Sequence, residues 1–178
     1  MDITQNYFEL FQLPVSCQLD HGKLALKYRE LQKTVHPDRF AGDAHRQQRL
    51  SVQYAAYVNE AFDTLKLPLK RFIYLLNLAG LSVDMEQNTV MDPEFLMEQM
   101  ALREQMAELR GLPDPEAGID RLINAVEDSL DELSEEFERL WVQGQSEHLK
   151  QAETVVQKMQ FMVKVAAELE QLESELLD

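Results

Sequence analysis

DHGKLALKYRELQKTVHPDRFAG, residues 20–42, decides how the N-terminal half of the chain folds. Leu24, Tyr28, Leu31 and Val35 recur at four, three and four residues, the spacing of one face of an α-helix. Asp20 stands where an N-cap belongs, and Pro37, which cannot continue a helix, stops the pattern. Lys23, Lys27, Arg29 and Lys33 fall on the side opposite the apolar face, and Arg39 follows the turn.

Outward from this helix, Leu50, Tyr54, Tyr57, Val58, Ala61 and Leu65 repeat the same spacing up to Pro68, so a second long helix pairs antiparallel with the first across a tight turn at residues 36–42. Upstream, Tyr7, Phe8, Leu10 and Phe11 cluster before Pro14 and predict a helix of about two turns over Asn6 to Leu13. Downstream, Phe72 to Leu78 predicts a brief apolar helix halted by Gly80, and Ser82 to Val90 reads as a linker.

The second half has its own plan. From Asp92, with Pro93 at the first helical position, a helix runs to about Arg110, where Gly111-Leu112-Pro113-Asp114-Pro115 breaks the chain. Ile119, Leu122, Ile123, Val126, Leu130, Leu133, Phe137, Leu140 and Trp141 mark a second helix, with Trp141 expected in the core, and a third spans Ser146 to Leu177. Short connections fold these three into a bundle with sequence neighbours antiparallel. The fold class is therefore all-α.

Two helices of the bundle carry apolar residues outside their main stripes. With Phe95 as reference, Leu102, Met106 and Leu109 form one core stripe, while Leu96, Met100 and Met97 lie about 100°, 140° and 200° away. In the last helix Val155, Met159, Met162, Ala166, Leu169 and Leu176 make the stripe and Phe161 projects to one side. Methionines and an aromatic ring off the core face suit an adaptable protein-binding surface. The plain alternative is that a helix wedged between two others buries both stripes.

Composition narrows the function. The net charge of −15 argues against nucleic acid, whose phosphates need a cationic footprint. Residues 1–91 balance ten Lys/Arg against ten Asp/Glu, whereas residues 92–178 hold seven against twenty-two, which points to two electrostatically distinct modules. One cysteine, Cys17, can form neither an internal disulfide nor a Cys-x-x-Cys zinc half-site, so a reducing compartment is expected. Neither a signal peptide nor an apolar run of membrane-spanning length is present, and with Met1 close before the first helix the expectation is a bacterial cytoplasmic protein.

A tripeptide such as His36-Pro37-Asp38 occurs by chance in a chain this long roughly 2% of the time, so its context must carry the argument. It sits where the amphipathic pattern ends, beside a basic stripe suited to steering an acidic partner. The bland reading is a capped hairpin with a solvated lysine face. Tyr28-Arg29-x-Leu31, then His-Pro-Asp-Arg-Phe, and Asn59-Glu60-Ala61-Phe62-Asp63-Thr64-Leu65 together resemble a J-domain over residues 4 to about 76. The resemblance implies that His36, Pro37, Asp38, Lys23, Lys27, Arg29, Lys33 and Arg39 dock on the ATPase domain and linker of a 70-kDa heat-shock chaperone and trigger its ATP hydrolysis.

There is no Gly/Phe-rich tract and no cysteine-rich zinc region after the J-domain. The early start of the J-domain, Pro68-Leu69-Lys70-Arg71-Phe72-Ile73-Tyr74-Leu75-Leu76 and Asp92-Pro93-Glu94-Phe95-Leu96-Met97-Glu98-Gln99-Met100 are similar to the HscB family, co-chaperones of iron-sulfur cluster biogenesis. That likeness covers essentially the whole chain. It implies a J-domain over 1–76, a connector over 77–91 and a three-helix domain over 92–178, in which Leu96, Met97, Met100, Glu104 and Phe161 hold the iron-sulfur cluster scaffold protein. The chain departs from the family by Ala101, where some relatives are acidic, and by Met100, where Leu is common; the first removes a polar contact and the second keeps an apolar one.

No Gly-rich phosphate loop, HExxH or nucleophile with base and orienting acid appears, so no enzyme, resident cofactor or metal site is expected. His21, His45 and His148 are isolated, Cys17 lacks an activating base, and the acidic run Glu127 to Glu138 reads as a solvated helix face. Two rivals remain: a J-protein serving a different client, and a helical adaptor outside the chaperone system.

Overall fold

Asn6 opens the first helix with a reciprocal cap. Its side chain accepts from Glu9 N at 3.0 Å, and Glu9 Oε2 accepts from Asn6 N at 3.0 Å, so two otherwise orphaned donors are satisfied. The computed structural model describes residues 4–35, 45–83 and 92–177, and side chains for 4–34, 49–83 and 92–175. The helices in order are α1 (Tyr7–Leu10), α2 (His21–Val35), α3 (His45–Lys66), α4 (Pro68–Leu78), α5 (Pro93–Glu108), α6 (Pro115–Gln143) and α7 (Ser146–Leu177). No strand occurs among the described residues. They divide into two compact units, Met1–Leu81 and Ser82–Asp178.

In the first unit α1 is shorter than the sequence predicts. Gln12 takes φ +54°, a left-handed conformation that ends the helix before Pro14 is reached, and Leu13 N donates back to Phe8 O at 2.9 Å. Phe8 and Phe11 are thereby driven into the core with Leu24, Val58, Ala61, Leu65, Phe72, Leu75 and Leu76. Each phenylalanine buried this completely contributes about 2–3 kcal/mol of transfer free energy before entropy is charged. Asp20 caps α2 as predicted, accepting from Lys23 N at 2.9 Å; that backbone donor, foremost, holds its carboxyl below the ordinary carboxylate range.

α2 packs on α3 through Tyr28, stacked on Phe62 at 4.0 Å with its hydroxyl donating to Asn59 at 3.0 Å. The inward face of α3 is Ser51, Tyr54, Val58, Ala61 and Leu65. Leu50, assigned to that face from its spacing, is half exposed: the stripe begins one residue later, on the buried Ser51. The turn expected at residues 36–42 and most of the expected linker lie outside the described residues.

α4 begins with Pro68 at its first turn, where a missing N–H costs nothing, and stops before Gly80 at φ +86°. Its Arg71 is buried. The guanidinium donates from Nε to Cys17 O at 2.8 Å and from Nη1 to Leu65 O at 2.7 Å, tying the loop before α2 and the end of α3 to α4.

The second unit is an up-down-up bundle in which α5 and α7 run parallel. Asp92 caps α5, accepting from Glu94 N at 3.1 Å, and Asp114 caps α6, accepting from Ala117 N at 3.1 Å, each with proline in the first turn. Between them a 3-10 turn, Leu109–Gly111, presses on Gly118 so closely that a Cβ there would lie 2.8 Å from Leu112 Cδ1 and 2.9 Å from Leu109 Cδ2. Phe95, Leu109, Ile119, Leu122, Val126, Met162, Val165 and Leu169 form the core. Farther along, Phe137 is buried, while Trp141, expected in the core, stacks on it at 6.2 Å and is only half-buried near the end of α6.

Candidate functional site

Each unit presents one candidate surface. In the first, the cap at Asp20 and the Tyr28–Phe62 stack fix the rotation of α2, which turns its basic side to solvent: Lys23, Arg29 and Lys33 are exposed and Lys27 half-buried. Local acids moderate the charge, with Lys23 Nζ 3.5 Å from Asp20 and Lys27 Nζ 3.3 Å from Glu30 and 3.2 Å from Gln12 Oε1. Solvent screens these exposed pairs, and they leave the face cationic. His36, Pro37, Asp38 and Arg39, the other residues expected on this surface, lie outside the described residues.

In the second unit the question left by the sequence was whether the extra apolar residues of α5 are core. They are not: Met97 and Met100 are each 72% exposed and Leu96 43%. α5 touches the bundle along Phe95, Leu102, Met106 and Leu109, so its remaining circumference faces outward. Glu104 lies exposed one turn beyond Met100. Phe161 is half-buried at the α5–α7 seam, edge-on to Phe95 with ring centroids 5.7 Å apart. Periodicity placed Phe161 beside the stripe of α7, and packing against α5 accounts for its partial burial.

Charged residues that the sequence reading did not single out frame this seam. Arg103 lies over the Phe161 ring at 5.7 Å and pairs with Glu168, which also raises the guanidinium pKa further. Lys158 lies over the Phe95 ring at 5.2 Å and binds Asp92 at 2.6 Å. The signal for Arg103 was legible as a cation three residues after Met100, but its partner sits 65 positions away and no local rule joins them.

Among the described residues no group of three or more His, Cys, Asp or Glu side chains could hold a metal ion, and no helix is long and apolar enough to cross a membrane. The family model of the HSCB C-terminal oligomerisation domain matches residues 91–170. A co-chaperone protein HscB homolog of Shewanella baltica is 42% identical over 173 residues, covering 97% of this chain and 99% of the relative. The chain belongs to the HscB co-chaperone family.

HscB structures agree over both units. Chaperone HscB from Vibrio cholerae, 38% identical, matches with a TM-score of 0.86 over 97% of this chain and 99% of its own. Human co-chaperone protein HscB, 28% identical, matches with a TM-score of 0.88 over 97% of this chain and 84% of its own. As in the HscB fold, an N-terminal J-domain precedes a C-terminal helical domain, and the first candidate surface belongs to that J-domain.

Proposed function

We propose that this HscB-family co-chaperone stimulates the ATPase of a specialised 70-kDa heat-shock chaperone and delivers to it the scaffold protein on which iron-sulfur clusters are built. The observation that carries the reading is the exposure of Met97 and Met100, each 72%, beside Leu96 on α5, three large apolar side chains open to solvent within two turns of one helix. Water contact at three adjacent apolar residues is costly, and a partner's apolar face relieves it at about 25 cal/mol per Å². Methionine suits this role because its unbranched side chain adapts to the partner.

In this reading Leu96, Met97, Met100, Glu104 and Phe161 hold the scaffold, and Lys23, Lys27, Arg29, Lys33 and Arg39 attract the chaperone's acidic ATPase domain. His36-Pro37-Asp38 then engages the site that commits the chaperone to hydrolysis, Asp38 supplying a carboxylate for an arginine of the partner and Pro37 a stiff turn. Carrying both surfaces on one chain raises the effective concentration of the client at the chaperone. The cluster is cargo of the scaffold, and the chain needs no catalytic group of its own.

The test is steady-state ATP hydrolysis by the 70-kDa chaperone of the same cell, with and without the scaffold protein. Wild type should stimulate, His36→Gln should abolish stimulation, and Met97→Ser/Met100→Ser should remove only the scaffold-dependent part. Adding Leu96→Ser and Phe161→Ser should deepen that loss. A wild-type chain that never stimulates would sink the proposal; stimulation indifferent to scaffold would replace the iron-sulfur client with another.

A further inference from the structure

The outward side of α2 is not purely ionic. Leu24, two residues from Leu26, is 1% exposed, whereas Leu26 is 54% exposed. At about 100° per residue, Lys27, Lys23, Lys33 and Arg29 span an arc of about 160°, and Leu26 falls close to its middle. Other large apolar residues of this unit are also exposed, among them Val15 and Leu78, but Leu26 is the one these four cations of its own helix surround. Lys23 and Lys27 lean toward Asp20 and Glu30; Glu30 falls inside the same arc, and Leu26 remains accessible beside it.

An exposed apolar side chain inside a charged rim has the anatomy of an interface centre, where a dry contact supplies affinity and the surrounding charges supply steering. We infer that Leu26 is the apolar anchor of the basic α2 face, seating in a shallow apolar depression within the acidic surface of the 70-kDa chaperone's ATPase domain. The inference rests on the proposed function and adds a residue to it. Charge complementarity selects the occupant: a cationic arc rejects a basic partner and fits an acidic protein surface. Division of labour follows, with the cations setting encounter and its salt dependence, and Leu26 setting the lifetime of the complex.

The experiment measures the concentration of full-length chain giving half-maximal ATPase stimulation, at several salt concentrations, together with the thermal midpoint of each variant. Leu26→Ala should raise that concentration about tenfold while the slope against salt and the thermal midpoint stay at wild-type values. Leu26→Met should restore most of the loss, and Lys27→Gln should flatten the salt slope instead. Leu26→Ala within twofold of wild type, in a chain whose stimulation remains sensitive to His36→Gln, overturns the anchor and leaves the proposed function standing. A thermal midpoint that falls with Leu26→Ala assigns the residue to folding and also overturns it. A wild-type chain that does not stimulate overturns both readings.

Discussion

Lys158 of α7 reaches the Asp92 carboxylate at 2.6 Å, so the residue that caps the start of α5 is also the residue that fastens it to α7. Asp92 therefore serves two roles, accepting from Glu94 N and pairing with Lys158, whose ammonium also lies over the Phe95 ring. Farther along, Arg103 pairs with Glu168 and Arg110 with Glu175, a seven-residue step on both helices. Parallel helices bring such steps into register at two turns. α5, with much of its surface turned outward, is held by a narrow apolar stripe and these pairs.

The Asp92–Lys158 contact makes the seating of α5 sensitive to acid. The hydrogen bond from Lys158, foremost, lowers the Asp92 pKa below its ordinary value. A depressed carboxylate stabilises the fold above its unfolded pKa, about 4, and that contribution is lost as pH falls through the lower folded value. Amide exchange in the first turn of α5 should accelerate as pH is lowered from 5 to 3 beyond the change expected from exchange chemistry alone. Asp92→Asn should remove this excess, and an unchanged excess in that variant would count against the assignment.

Arg71 should be intolerant of replacement. It supplies donors to Cys17 O and Leu65 O from a buried position, and Arg71→Met leaves those carbonyls without them. The expected loss is about 2–4 kcal/mol in denaturant unfolding of the J-domain, with Arg71→Lys recovering only part, because one ammonium cannot reproduce the guanidinium fork.

Gly144 ends α6 at φ +65°, and its N–H donates to Leu140 O at 3.2 Å. Space is available for a methyl group, with Trp141 O the nearest atom at 3.7 Å from an added Cβ, so the penalty is conformational rather than steric crowding by neighbours. Gly144→Ala should cost about 1 kcal/mol, read as a lower urea midpoint with unchanged m-value.

The corrected face of α3 can be tested in the same way. Leu50→Ala should change stability by no more than about 0.5 kcal/mol, while Val58→Ala should cost about 1–2 kcal/mol through lost burial and a residual cavity. Equal costs at the two positions would restore the face that spacing alone suggested.

Local chemistry made much of this protein legible in its sequence. Asp20, Asp92 and Asp114 mark helix starts because a short carboxylate can accept orphaned N–H groups from the next turn, and the prolines beside the last two can only stand in a first turn. The all-α class, the basic face of α2 and the resemblance to the HscB family required nothing beyond residue order. Tertiary structure decided what depends on distant neighbours. Helical spacing could not place Leu50 outside the core, because the boundary of a buried stripe depends on where the facing helix approaches. Nor could it decide whether Leu96, Met97 and Met100 were wedged against another helix or open to solvent, because only the arrangement of α6 and α7 around Phe95, Leu102 and Met106 leaves that second stripe uncovered. The pairing of Arg103 with Glu168 and its stacking over Phe161 likewise join residues more than fifty positions apart, through a parallel helix arrangement that no short window of sequence contains.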